Sequence, residues 1–116
     1  MDTVQGLERR RNDVLEQMRA IRSMRRGTVN EQYLNVRHKG QSEPARCGPY
    51  YVLSRKQAGR TVSQRLPATQ VEQARSDVAG YRRFVELCQE YQRLTEQLGQ
   101  VERAGGGQGQ EKKRPR

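Results

Sequence analysis

Few residues in this chain are placed to do covalent chemistry. Its one imidazole, His38, lies in a stretch broken by Gly40 and Pro44. A general base needs a neighbour to orient it, and a lone loop histidine is ordinarily a surface side chain. Cys47 and Cys88 are the only cysteines. With His38 they make three ligands, one short of a closed zinc site, so they read as inert thiols with no metal and no cofactor. Tyr50 and Tyr51 stand near Arg46, Arg55 and Arg60, a grouping that evokes a tyrosine attacking a phosphate. That reaction needs a dry, preorganised pocket. One Phe, no Trp and 32% apolar residues leave little to build it from. No Gly-rich loop ending in Lys-Ser/Thr is present to cradle a nucleotide. The expectation is therefore a binding protein with no catalytic residue, not an enzyme.

The basic residues carry more information. The net charge is +10 over 116 residues, and it is uneven. Residues 27–68 hold seven basic and two acidic groups and residues 104–116 hold four and one, whereas residues 69–103 are nearly balanced at five and six. A clustered positive field favours a polyanion, and nucleic acid is the first choice, DNA ahead of RNA. Three groups of residues are candidates. Arg19, Arg22 and Arg26 recur at helical spacing and would form a phosphate-facing ridge. Tyr50, Arg55, Lys56, Arg60 and Arg65 fall on two short strands, and a two-stranded ribbon fits a DNA major groove while tyrosine faces stack on unpaired bases. Lys112, Lys113 and Arg114 end the chain after a Gly/Gln-rich stretch.

The elements that must position these residues follow from periodicity. Val4, Leu7, Val14, Met18 and Ile21 share one face of a helix expected over residues 2–26 and stopped by Gly27. Thr28–Val36 reads as a strand, residues 37–49 as a loop, and Tyr50–Lys56 and Arg60–Leu66 as two strands around a turn containing Gly59. Alternation places Tyr51, Leu53 and Arg55 on one face and Tyr50, Val52 and Ser54 on the other. Thr69-Gln-Val-Glu72 is a capping-box pattern opening a second helix over residues 69–103. From Phe84 to Val101 its apolar residues keep a coiled-coil rhythm, and the step from Tyr81 to Phe84 breaks register where the helix would leave the sheet for its helical partner.

The expected architecture is α+β: two long antiparallel helices, a helical hairpin or coiled coil, flanking a small two- to three-stranded antiparallel β-segment. Residues 1–104 would form one domain with the β-segment at 28–66, and residues 105–116 a disordered basic tail. No run approaches the ~20 apolar residues of a membrane helix and no apolar stretch follows the N-terminus, so a cytosolic location without membrane contact is expected.

Four blocks resemble a family of short bacterial proteins known as a domain of unknown function. They are Arg26-Gly-Thr-Val-Asn-Glu-Gln-Tyr33, Gly48-Pro-Tyr-Tyr-Val-Leu-Ser-Arg55, Gly59-Arg-Thr-Val-Ser63 and Tyr81-Arg-Arg-Phe84. The resemblance covers about residues 20–100, and its G-P-Y-Y block is the most specific part. It implies an association with mobile elements, which would suit a DNA-binding accessory, and it supplies no catalytic residue. Family members often carry several cysteines and a histidine before G-P-Y. Here residues 37–46 hold no cysteine and Cys47 stands where the histidine is usual, so no metal role is carried over. The alternative function is a coiled-coil adaptor or oligomerisation module that binds a partner protein, or itself, through its helices.

Overall fold

A computed structural model describes residues 3–37, 39–40 and 42–111, of which 106–111 are described as helix backbone alone. The first helix, α1, spans Val4–Ala20. Thr3 caps it: its Oγ1 accepts from the Gly6 N–H at 3.0 Å, and its carbonyl accepts the first helical bond from Leu7 at 2.9 Å. Three antiparallel strands follow, β1 (Thr28–Val36), β2 (Ala45–Gln57) and β3 (Arg60–Leu66), in the order β1-β2-β3. Pro67 ends β3, a 3₁₀ turn covers Ala68–Gln70, and α2 runs Val71–Glu111.

Two long helices in a coiled coil are not what the chain forms. α1 has 17 residues against 41 in α2, and all three strands come between them in chain order. At ~1.5 Å per residue α1 is only about 25 Å long. Its expected continuation to Arg26 fails because Arg25 gives its backbone N–H to a tertiary partner instead of a helical one. The Arg25 N–H donates to the Asp77 carbonyl at 3.0 Å, and Gly27 sits against the β2 backbone with φ +127°. Pro67 and the 3₁₀ turn, not a Thr69 cap, lead into α2. Past the expected end at Arg103, the α2 backbone continues through Gly105–Gly107 to Glu111, its hydrogen bonds propagating from the packed turns. The rest of the expected tail, residues 112–116, lies outside the described residues. β2 also starts earlier than expected, at Ala45, where residues 45–49 had read as loop. The Gly48–Pro49 peptide is cis, and the β1/β2 register shifts there, between Gln32 and Leu34.

Contacts gather the chain into two compact units. One holds the residues up to Arg22 with those from Arg82 onward, and the other holds Ser23–Tyr81. Their boundary on α2 falls within the Tyr81–Phe84 register break. In the helical unit, Leu7 and Val14 bury against Leu87, Leu94 and Leu98, with Val4, Met18, Ile21, Tyr91 and Val101 around them. Arg11 donates to Thr95 and Arg83 to Gln17, so α1 and this part of α2 run antiparallel. In the sheet unit, Leu53, Leu66, Val71, Ala74 and Val78 form the core, flanked by Val29 and Tyr51. The first turns of α2 thus cover one face of the sheet, the face that carries Val29, Tyr51 and Leu53.

Candidate nucleic-acid interface

The β2–β3 hairpin is built by its turn. Gln57 pairs with Arg60, leaving Ala58 and Gly59 as a two-residue loop with φ of 53° and 80°. Positive φ at both positions defines the turn type whose twist matches that of antiparallel strands. β1 begins opposite Ser54, so from Arg55 to Val62 the hairpin continues without a third strand. Three residues per arm at ~3.4 Å give a ribbon about 10 Å long beyond β1. Arg55, Lys56 and Arg60 stand on it, all exposed. Alternation divides them. Arg55 and Arg60 share the parity of Leu53, and Lys56 lies on the opposite face. Arg55 Nη2 donates to Gln57 Oε1 at 3.0 Å, and Arg26 Nη2 reaches the Lys56 carbonyl at 3.4 Å, adding a fourth cation to the ribbon.

The helix ridge is not formed. Arg22 and Arg26 lie beyond the end of α1, and Arg26 belongs to the sheet unit. Arg19 stays on α1, paired with Glu16 at 3.0 Å on an exposed surface. Local spacing matched a helix, but the Arg25–Asp77 bond and the Gly27 approach hold this segment out of a helix. Lys112, Lys113 and Arg114 lie outside the described residues.

Away from the ribbon, the two faces of the sheet differ. On the covered face, Arg46 lies 3.9 Å from the Tyr33 ring centroid, and the Tyr33 hydroxyl donates to Glu31 at 3.2 Å. Glu31 pairs with Arg75 at 3.7 Å, and Arg75 lies 5.8 Å from the Tyr51 ring centroid. The hydrogen bond to Glu31, with desolvation and the Glu31 charge behind it, raises the Tyr33 hydroxyl above its ordinary value of 10.0, while Arg46 opposes the shift. The opposite face carries Asn30, Gln32, Tyr50, Val52, Ser54, Ser63 and Arg65, by alternation and register. Among the described residues of the sheet unit, no element packs on it. Arg65 Cζ lies over the Tyr50 ring, 4.0 Å from its centroid, and the Ser54 and Ser63 hydroxyls hydrogen-bond at 3.0 Å. Sequence reasoning named Tyr50 and Arg65 and grouped Tyr50 with Val52 and Ser54, but it did not bring in Asn30, Gln32 and Ser63, whose place on this face is set by the register of the neighbouring strands. Arg46 and Tyr33 were also missed as a pair, because the register shift beside them cannot be read from either strand alone.

Charge divides between the units. The sheet unit holds ten basic and four acidic residues, net +6. Among the described residues its one side-chain ion pair is Arg75 with Glu31. In the helical unit, arginines pair within α1 or α2: Arg19 with Glu16, Arg83 with Glu86, and Arg93 with Glu90. The hollow beside α1, about 410 Å³, is lined mainly by such charged side chains, including Asp13, Arg83, Glu86 and Glu90. Among the described residues no cluster of His, Cys, Asp or Glu could hold a metal ion, and no helix is long and apolar enough to cross a membrane.

These features define a class: a three-stranded antiparallel sheet with one face on a helix, the other uncovered, and a basic ribbon at its end. The chain belongs to the family described as Domain of unknown function (DUF6788), which matches residues 4–76 and so takes in α1, the whole sheet and the first turns of α2. No curated protein and no solved structure matches the chain.

Proposed function

We propose that this protein binds nucleic acid without catalysis, DNA ahead of RNA, with the β2–β3 ribbon as its principal contact. One observation carries the reading: Arg26, Arg55, Lys56 and Arg60 converge on an exposed two-stranded ribbon, with no carboxylate paired to them among the described residues. Uncompensated cations on a narrow projection suit phosphates, because each contact releases condensed counterions. A B-form major groove admits a two-stranded ribbon, whereas the deep, narrow A-form groove closes to side chains, which favours DNA. The sequence resemblance extends the proposal to a bacterial accessory of a mobile element.

The test is retention on DNA across a salt series, for wild type and for a triple variant, Arg55→Gln, Lys56→Gln and Arg60→Gln. Loss of three phosphate contacts should weaken binding at every sequence and lower the log–log salt slope by about three units. A folded triple variant with unchanged affinity and slope would remove the ribbon from the reading.

A further inference from the structure

We infer that the uncovered face of the sheet is a binding surface for unpaired nucleotides, with Tyr50 and Arg65 as the stacking position. The inference rests on the nucleic-acid reading and deepens it by giving the sheet face its own form of ligand, a single strand, beside the duplex that the ribbon fits. Tyr50 on β2 and Arg65 on β3 form a ring–guanidinium stack, 4.0 Å from centroid to Cζ. A guanidinium this close over a tyrosine ring can offer its outer face to a base and its N–H groups to phosphate.

The surroundings match a strand of bases rather than a protein surface. Asn30, Gln32, Ser54 and Ser63 bring amides and hydroxyls able to meet base edges, while Val52 is the apolar neighbour between Asn30 and Arg65. Asn30, Gln32, Ser63 and Arg65 are exposed, and Tyr50, Val52 and Ser54 are half-buried. The helix covering the other face contributes nothing here, since the sheet's buried residues all belong to that covered side. Charge complementarity selects the occupant: the unit is net +6, and Lys56 carries this same face onto the ribbon. A base paired in a duplex cannot lay its face on a flat sheet, so the occupant must be unpaired.

The experiment compares a single-stranded oligodeoxynucleotide of about ten nucleotides, the matching oligoribonucleotide and the duplex, by fluorescence anisotropy. The proteins are wild type, Tyr50→Leu, Arg65→Gln and the ribbon triple variant, each checked for folding by circular dichroism. Tyr50→Leu, which removes the ring that supports the Arg65 guanidinium, should weaken single-strand binding roughly tenfold, the scale of one lost stacking contact, and leave duplex binding near wild type. Arg65→Gln, which preserves the ring and lies at an exposed position, should show the same selectivity if Tyr50→Leu disturbs the strand. Equal single-strand affinity for wild type and both face variants, with the triple variant weakened on every ligand, would overturn this inference and leave the ribbon reading standing. Failure of wild type to bind any of the three ligands would overturn both.

Discussion

Replacing Gly27 with alanine should be among the most damaging small changes in this protein. Gly27 ends the irregular segment after α1 and admits β1 to the sheet beside Ser54. Its φ of +127° lies outside the range of L side chains, and an added Cβ would sit 2.5 Å from the Ser54 carbonyl oxygen and 3.2 Å from Arg55 Cβ and Leu53 Cδ1. The first two neighbours are backbone and stem atoms that cannot rotate away, and the third belongs to a core side chain. Conformational strain of this kind costs ~1–3 kcal/mol, and relief of the clash requires β1 or the base of the ribbon to move as well. The expected loss is about 3 kcal/mol or more, which for a domain of this size is a fall in melting temperature of about 10 °C or more. Gly59→Ala is the control. Its φ is +80°, nothing lies within 4 Å of the added atom, and the adjacent Ala58 already holds φ 53°. It should cost only the left-handed penalty of ~1–2 kcal/mol. Urea unfolding followed by circular dichroism measures both. Equal midpoints for the two variants would refute the argument that close approach, rather than positive φ alone, demands glycine at position 27.

Two further outcomes are expected. Leu94, 2% exposed in the helical core, should cost ~2–4 kcal/mol when cut to alanine, and an unmoved denaturation midpoint would show that the α1–α2 seam contributes little. Glu31→Ala should lower the Tyr33 ionisation toward its ordinary value of 10.0, followed by NMR of the ring. Since the folded state raises this pKa, its small contribution is present below the ordinary value and fades as pH rises through the raised one, so the stability difference between wild type and Glu31→Ala should narrow at high pH.

Part of this was legible in the chain itself. β1 spans Thr28–Val36, the stretch rich in β-branched and aromatic residues, and the Gln57–Arg60 closure falls around Gly59. The Tyr81–Phe84 register break marks the passage from one core to the other. These are local signals: side-chain period and turn chemistry act through neighbours two to four residues away, and the fold had no reason to override them. The candidate cations were recognised as residues but not as a surface. Arg19, Arg22 and Arg26 looked equivalent by spacing, yet one pairs with Glu16 on α1 and another joins the ribbon.

What the sequence alone determined, then, was the identity of the strands, the hairpin turn, the apolar seam and the excess of positive charge. Tertiary structure decided where α1 stops, since Ile21, Met24 and Arg25 keep helical spacing while the Arg25–Asp77 bond and the contact of Gly27 with Ser54 hold the chain out of a helix. It also decided which side chains share a face, because the β1/β2 register shift reassigns residues that simple alternation would group. A periodic pattern states which conformations a segment can adopt; partners distant in the chain, Asp77 for Arg25 and Ser54 for Gly27, select among them by satisfying backbone groups and excluding a Cβ where the strands meet.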